Sequence, residues 1–281
     1  MSDFFQQLYD RYTAKIPSVP AYLERIGVRR EDVALTKQGL DMVQFAHLCS
    51  VPFENLDIFD YDRFIDFGIE DVFEKIVTQR RGGYCFELNA SFMELLKALG
   101  FEVYPVGVRV LLGGGTTMLR PISHRATIVT IEGKRYYTDV GFGTAYGPGA
   151  SLDIDEMAEQ QFLSEKYTVK DRPYNTKEII RTTHEHPEAL FSFKTDPFNI
   201  LDFVSFNTTV QEKAFRDKRM VNLRRPDGSM SFDGDMFRVF RDGKCTQTPL
   251  STGKEAFDVL NNEFGMKLTM PLKESAFAIN P

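Results

Sequence analysis

Two hydrophobic periodicities divide the chain. Apolar residues recur at helical spacing through the first hundred residues, and this spacing predicts helices over 3–15, 20–26, 36–49, 69–78 and 85–99. Gly100 is a typical helix stop at the end of the last of these segments. Because the connections between the segments are short, we expect them to pack as a small helical bundle.

Strand-like patterns take over after Gly100. They predict strands over 103–112, 124–131, 134–140, 167–171, 177–183, 203–210 and 236–241, followed by a final helix over 253–264. Glu132-Gly133, between the second and third of these runs, indicates a two-residue hairpin turn. The chain has no internal repeat and no long linker, so we expect its parts to pack as one body.

Composition and charge exclude several classes of protein. The 281 residues are 42% hydrophobic and 26% charged, which suits one large or a few small packed units. A formal net charge of -6 gives no electrostatic argument for nucleic acid or for an anionic membrane. No apolar run approaches the roughly 18 residues that span a bilayer, and residues 1–7 do not resemble a signal peptide. The three cysteines are an odd number without paired spacing, so we expect reduced thiols in the cytoplasm.

Cys85 is the candidate nucleophile. It follows the glycine pair Gly82-Gly83 and begins the predicted helix over 85–99. A cysteine at a helix N-terminus lies near the positive end of the backbone dipole, which favours the reactive thiolate. The alternative is an inert cysteine packed beneath a turn, which is common for a free cysteine.

His124 and Asp139 are the candidate partners of this nucleophile. If Glu132 and Gly133 are the two loop residues of the hairpin, Ala126 faces Asp139. His124 then lies on the same face, diagonal to Asp139 at roughly 7–8 Å, which the two side chains can bridge. A three-residue loop would break this parity. The hairpin therefore predicts a base and its orienting carboxylate, although a hydrogen-bonded strand histidine and a strand-end carboxylate remain the simpler alternatives.

Three separated motifs resemble the arylamine N-acetyltransferases. They are RGGYCFELN at 81–89, VPFENLD at 51–57 and TDVGFG at 138–143, and YLERIG at 22–27 and His47 add to the resemblance. The similarity covers about residues 20–147 and fades in the last hundred residues.

The resemblance implies an α+β fold with a cysteine-protease-like catalytic core. A helical bundle over 1–100 would carry Cys85, a β-barrel over 101–196 would carry His124 and Asp139, and an α/β lid would occupy 197–281. It also implies ping-pong acetyl transfer, with acetyl-CoA as co-substrate and no metal, through acetyl-Cys85 to an arylamine, hydrazine or hydroxylamine, as in xenobiotic metabolism. The oligomeric state and the preferred amine stay open.

Further site residues follow from the same resemblance. Gly141, Phe142 and Gly143 would line the cleft beside the triad, Thr116 would lie at its mouth, and Phe215 would present its ring to the pocket.

Charged residues around the nucleophile have structural interpretations. Arg81 and Glu54 are expected to form an ion pair that braces the turn before Cys85, with solvated charges as the alternative. The run His184-Glu185-His186 is too short for a metal site and is more typical of a surface loop.

Two other functions share the Cys, His, Asp order. One is a hydrolase of the cysteine-protease or transglutaminase type, although the chain lacks the protease signature Cys-Gly-Ser-Cys-Trp around the nucleophile. The other is a binding protein that retains only the scaffold. A hydrolase would cleave amides without CoA, and a binding protein would not react at Cys85.

Overall fold

Helices fill the first hundred residues, as the apolar spacing predicts. The structure is a computed structural model that describes residues 2–114, 119–183, 186–213 and 215–277. Its helical segments are α1 (Ser2–Tyr12), α2 (Val19–Ile26), a 3₁₀ turn (Arg30–Asp32), α3 (Lys37–Ser50), α4 (Leu56–Phe59), α5 (Ile69–Phe73) with a π-helical continuation (Glu74–Thr78), α6 (Cys85–Leu99), α7 (Asp202–Lys213), α8 (Gly253–Asn262) and a 3₁₀ turn (Glu274–Phe277).

Local capping explains where several helices begin and end. The Ser18 hydroxyl accepts a hydrogen bond from the Ala21 amide at the start of α2, and the Thr36 hydroxyl accepts one from Gly39 at the start of α3. Gly27 ends α2 and Gly100 ends α6, with φ of 70° and 104°. Such left-handed backbone is accessible to glycine at little cost, which is why the chain turns at these positions.

The predicted strand over 203–210 is wrong, because these residues belong to α7. Phe203, Asn207, Val210 and Gln211 are the buried residues of this helix, and their spacing of four, three and one is helical. The β-branched and aromatic content of the segment suggested a strand, but burial of one helical face against the bundle prevails over that weak preference.

The strands of the described residues form two antiparallel sheets. They are β1 (Phe53–Glu54), β2 (Glu102–Val110), β3 (His124–Ile131), β4 (Lys134–Thr138), β5 (Leu152–Asp153), β6 (Gln160–Phe162), β7 (Glu165–Arg172), β8 (Thr176–Thr183), β9 (His186–Lys194), β10 (Met220–Arg225), β11 (Gly228–Asp233), β12 (Met236–Arg241) and β13 (Lys244–Pro249). The larger sheet has the order β5-β4-β3-β2-β9-β8-β7-β6, and β5 approaches β7, so that the sheet forms a nearly closed barrel. The smaller sheet has the order β1-β10-β11-β12-β13.

The hairpin of β3 and β4 has the predicted two-residue turn. Ile131 pairs with Lys134 and Thr127 pairs with Thr138. Glu132 and Gly133 have φ of 50° and 79°, as a type I′ turn requires at both of its central residues. This register is the one on which the juxtaposition of His124 and Asp139 depends.

Within the described part of the chain, three apolar cores hold these layers together and give the predicted α+β fold. One lies within the helical bundle and includes α7, one fills the barrel, and one lies between the smaller sheet and α8. Strand β1 pairs with β10, with Phe53 opposite Asn222, so the first hundred residues contribute to the C-terminal sheet. The division at residues 100 and 196 stays a prediction. No helix in the described ranges is long and apolar enough to cross a membrane.

Candidate active site

Cys85 is the first residue of α6 and is buried. The turn before it is fixed by Glu87, whose carboxylate accepts a hydrogen bond of 3.0 Å from the Tyr84 amide. A Cβ atom at Gly82 would lie 2.2 Å from the carbonyl oxygen of Pro52, so only glycine fits where the turn passes that segment. Gly82 thus allows the turn before Cys85 to pack closely against the backbone of Pro52.

Burial dominates the acidity of Cys85. It raises the pKa of the thiol well above its ordinary value, and the charge of Asp139 raises it further, whereas backbone amides of Phe86 and Cys85 lower it. The helix N-terminus therefore acts in the predicted direction but does not prevail. A thiolate at this position requires a cation beside it, and the imidazolium of a histidine would supply one.

His124 and Asp139 meet at the end of the β3–β4 hairpin. His124 Nε2 lies 2.6 Å from Asp139 Oδ2, and both side chains are almost fully buried. The His124 ring stacks on Phe191 at 5.8 Å and an angle of 12°, and the Phe142 ring meets it edge-on at 6.0 Å. Because Nε2 is engaged by the carboxylate, Nδ1 is the ring nitrogen left to exchange a proton with a nucleophile.

Asp139 accepts three more hydrogen bonds from the described residues. The Tyr137 hydroxyl donates to Oδ2 at 2.9 Å, and Asn89 Nδ2 and the Gly141 amide donate to Oδ1 at 2.8 and 2.9 Å. Burial raises the pKa of Asp139, but the charge and hydrogen bond of His124, with those of Asn89 and Gly141, outweigh it and hold the pKa below its ordinary value. Asp139 is therefore an anion suited to hold an imidazolium.

Asn89 and Tyr137 were not among the predicted site residues. Asn89 Nδ2 also donates to the Arg125 carbonyl at 2.6 Å, and its Oδ1 accepts from the Val140 amide at 2.9 Å, so this one side chain joins α6 to both strands of the hairpin. The signals were present, because Asn89 lies one turn after Cys85 and Tyr137 lies two residues before Asp139 on the same strand face.

Gly141 and Gly143 permit close approach between the elements of the site. A Cβ atom at Gly141 would lie 2.8 Å from the Cα of Cys85 and 2.7 Å from Asn89 Nδ2. A Cβ atom at Gly143 would lie 2.8 Å from the Phe53 ring. The segment after β4 can thus run directly against the start of α6.

A narrow cavity of about 30 Å³ lies between Asp139 and strands β10 and β11 of the smaller sheet, and we call it the cleft. Its lining residues come from α3, β1, the 139–148 segment, β10 and β11, and they include Leu48, Phe53, Asp139, Phe142, Thr144, Asn222, Leu223 and Arg224. The C-terminal sheet therefore forms one wall of the cleft beside Asp139, whereas Cys85 and His124 are not among the residues that line it.

Three predicted substrate contacts remain, which are Phe142, Phe215 and Thr116. Phe142 lines the cleft, and the Phe215 ring lies 5.9 Å from Phe53 and 5.7 Å from Tyr84, beside the turn before Cys85. Thr116 lies outside the described residues.

A group of buried charges lies beneath the turn, and we call it the carboxylate cluster. It consists of Glu54, Asp57 and Glu87 with Lys75 and Arg81. Arg81 Nη2 lies 2.6 Å from Glu54 Oε1, and Lys75 Nζ lies 2.7 Å from Asp57 and 2.8 Å from Glu87. Burial raises the pKa of Asp57, but Lys75 and Arg81 lower it to about 2 overall, whereas burial raises the pKa of Glu87 to about 7. These charges are buried and paired rather than solvated.

In the part of the chain that the structure describes, no group of three or more His, Cys, Asp or Glu side chains could hold a metal ion. His184 and Glu185 of the His-Glu-His run lie outside that part.

Comparison with known proteins defines the class. A family model described as N-acetyltransferase matches residues 37–273, most of the chain. The protein is thus an acyltransferase with a cysteine, a histidine and an aspartate at the start of one helix and the end of one hairpin. More narrowly, the chain belongs to the arylamine N-acetyltransferase family.

Individual relatives agree with this assignment. Arylamine N-acetyltransferase 1 of Homo sapiens is 28% identical over 232 residues, which cover 75% of this chain and 79% of that protein. The arylamine N-acetyltransferase structure from Salmonella typhimurium superposes with a TM-score of 0.84 at 27% identity, covering 92% of this chain and 96% of that one. The Mycobacterium marinum enzyme in complex with CoA has a TM-score of 0.81 at 26% identity, covering 89% and 93%.

Proposed function

We propose that this protein transfers an acetyl group from acetyl-CoA to aromatic amines, hydrazines or hydroxylamines through an acetyl-Cys85 intermediate. In this proposal Cys85 is the nucleophile, His124 the base and Asp139 the orienting carboxylate. The observation that carries it is the 2.6 Å contact of His124 Nε2 with Asp139 Oδ2, on a hairpin whose Gly141 lies against the backbone of Cys85.

The first half-reaction loads the enzyme. His124 Nδ1 takes the proton of the Cys85 thiol, and the thiolate attacks the carbonyl carbon of the thioester. The carbon–sulfur bond to CoA breaks, and the CoA sulfur leaves with the proton from the imidazolium. Asp139 stays ionised throughout, because the hydrogen bonds it accepts hold its pKa low, and it stabilises the positive charge on His124.

The second half-reaction transfers the acetyl group from Cys85 to the amine. The amine nitrogen attacks the acetyl carbonyl carbon, His124 takes a proton from the nitrogen, and the Cys85 sulfur leaves as a thiolate. The aromatic side chains of Phe53, Phe142 and Phe215 beside the site suit a planar aromatic acceptor. Gly141 and Gly143 would serve this acceptor indirectly, because they let the segment around Phe142 pack against Cys85 and Phe53.

The remaining parts of the chain take supporting roles in this proposal. Residues 1–100 supply the nucleophile, 101–196 the base and carboxylate, and 197–281 a wall of the cleft. Arg81 and Glu54 brace the turn before Cys85. We further propose that the enzyme works in the cytoplasm on foreign aromatic amines, where thiols stay reduced.

The decisive experiment traps the intermediate. Purified enzyme is mixed with acetyl-CoA without an acceptor, and intact-protein mass spectrometry and CoA release are followed together. We expect one acetyl group per chain and a stoichiometric burst of CoA, with turnover only after an arylamine such as an anisidine is added.

Matched cysteine variants locate the intermediate. Cys85→Ala should abolish both the acetyl adduct and turnover, whereas Cys49→Ala and Cys245→Ala should retain them. An adduct that persists in Cys85→Ala would disprove the nucleophile. Continuous CoA release without an acceptor would instead indicate a hydrolase.

A further inference from the structure

A second, open groove of about 340 Å³ shares one lining residue, Leu223 of β10, with the cleft. Its walls come from α2, α3, the segment after the π-helical turn, β10 and the end of α8. We call it the arginine groove, after the three guanidinium groups of Arg25, Arg80 and Arg225 that line it together with Cys49, Leu223 and Glu263.

The positive charge of Arg25 at the floor of this groove is uncompensated. Arg25 is 6% exposed, and it donates from Nε to the Ile76 carbonyl and from Nη1 to the Ser50 carbonyl. Its Nη2 is buried without a hydrogen-bond partner among the described residues. No carboxylate of the described residues pairs with it, and burial, followed by the nearby charge of Arg80, lowers its pKa to about 10. Buried polar groups are normally paired, so this one requires an explanation.

The guanidinium groups of the other two arginines, Arg80 and Arg225, also have few partners among the described residues. Within the described ranges the half-buried side chain of Arg80 has no hydrogen bond or ion pair, although its neighbour Arg81 enters the carboxylate cluster. Arg225 Nε lies 3.7 Å from Asp227, but Asp227 is held more closely by Arg241 at 2.6 Å. Among the described residues, the exposed Glu263 is the one carboxylate that lines the groove itself. The groove is therefore a basic surface with donors to spare.

The arginine groove adjoins the cleft of the active site. Leu223 lines both, Leu48 of the cleft precedes Cys49 of the groove, and Arg224 of the cleft precedes Arg225 of the groove. Arg224 is itself fixed by Glu165, with Nη2 to Oε1 at 2.9 Å, and so does not compete for a ligand.

We propose that the arginine groove binds a phosphate group, which Arg80 and Arg225 contact directly above the buried charge of Arg25. The planar guanidinium fork matches phosphate oxygens in pairs and gives strong charge-assisted hydrogen bonds. The phosphate belongs either to CoA, whose phosphates lie at the far end of the arm that carries the thiol, or to a separate small phosphate compound. The first source rests on the proposed function and is favoured by the shared wall at Leu223.

The experiment measures binding without turnover. Isothermal titration calorimetry with inorganic phosphate, pyrophosphate and CoA is carried out on the wild type, on the double variant Arg80→Gln/Arg225→Gln and on Arg172→Gln. Arg172 pairs with Glu178 on the β7–β8 hairpin, so its variant controls for the loss of positive charge elsewhere on the surface. Loss of two charge-assisted contacts should weaken pyrophosphate binding about ten- to a hundredfold, and the double lysine variant should recover part of it.

Kinetics then identify the source of the phosphate. KM is compared for acetyl-CoA and for S-acetyl-N-acetylcysteamine, a thioester without phosphates. If the double variant raises KM about tenfold for acetyl-CoA alone, the groove holds CoA. If it loses pyrophosphate binding while both KM values stay unchanged, the groove holds a separate phosphate compound. Equal pyrophosphate binding by the wild type and the double variant would overturn the site, whether or not the protein transfers acetyl groups.

Discussion

Tyr137 donates its hydroxyl hydrogen bond to Oδ2 of Asp139, the same carboxylate oxygen that lies 2.6 Å from His124. The Tyr137 ring is fixed within the barrel core, where it lies 5.0 Å from Phe193 and 5.8 Å from Phe191. The barrel thus determines where this oxygen lies. Tyr137 is a positioning residue in the proposed reaction, since it acts through Asp139.

Tyr137→Phe should lower kcat/KM for acetyl-CoA about three- to tenfold, which corresponds to the ~0.5–1.5 kcal/mol of one typical hydrogen bond. Because the variant removes a donor that stabilises ionised Asp139, the acid limb of the pH–rate profile should move to higher pH. Tyr136→Phe is the matched control, because Tyr136 lies on the opposite face of β4 against the helices. A purely structural role for Tyr137 would change the unfolding midpoint and leave the pH profile in place.

Asp139→Asn should lower kcat/KM by about 10³–10⁴, because an amide cannot stabilise the imidazolium and favours the wrong tautomer of His124. The alkylation rate of Cys85 by iodoacetamide between pH 6 and 8 should fall as well. Burial raises the pKa of Cys85, so the thiolate in that range depends on the imidazolium. Asp171→Asn on β7 removes an exposed carboxylate and should change neither rate. Unchanged alkylation in Asp139→Asn would show that another group sustains the thiolate.

Arg81→Met should destabilise the fold by about 3–5 kcal/mol, because it leaves the fully buried Glu54 with Lys75 as its nearest cation, at 3.7 Å. Arg29→Met is the matched control. Arg29 also pairs with a carboxylate, Asp32, at 2.8 Å, but the arginine side chain is 72% exposed, and such surface pairs contribute about 0–1 kcal/mol. Urea unfolding of both variants measures the difference. Equal small losses would mean that the carboxylate cluster is not stabilised by Arg81.

The hairpin shows how far the sequence determines the candidate site. Glu132-Gly133 sets the turn, the turn sets the register, and the register brings His124 to Asp139. These steps are local, and a pattern of period two is sufficient to predict them. The approach of Cys85 to Gly141 joins segments more than fifty residues apart. The chemistry of a cysteine nucleophile suggested this pairing, but no local pattern in the sequence specifies it.

Tertiary packing accounts for the parts that the sequence did not predict. Residues 203–210 have strand-forming side chains, but the bundle offers a surface that a helix can bury, so α7 forms there. The pairing of β1 with β10 joins residues 53 and 222 across the chain, and no periodicity specifies such a pair. The low acidity of Cys85 has the same origin, since burial is a property of the assembled fold.

His47 should make the stability of the protein depend on pH. It is fully buried, its Nε2 meets the Tyr22 hydroxyl at 3.0 Å, and burial together with the charge of Arg25 lowers its pKa to about 3. This value lies below the unfolded pKa of about 6.5. The contribution of neutral His47 to stability is therefore fully present above pH 6.5 and is lost as the pH falls towards 3. Between pH 7.5 and 4.5 the loss should be about 2–3 kcal/mol. Urea unfolding at both values should show this loss in the wild type and in His186→Gln, whose histidine is exposed on β9. In His47→Gln the loss in free energy of unfolding should be smaller by about 2–3 kcal/mol. An equal loss in all three proteins would assign the acid sensitivity to other groups.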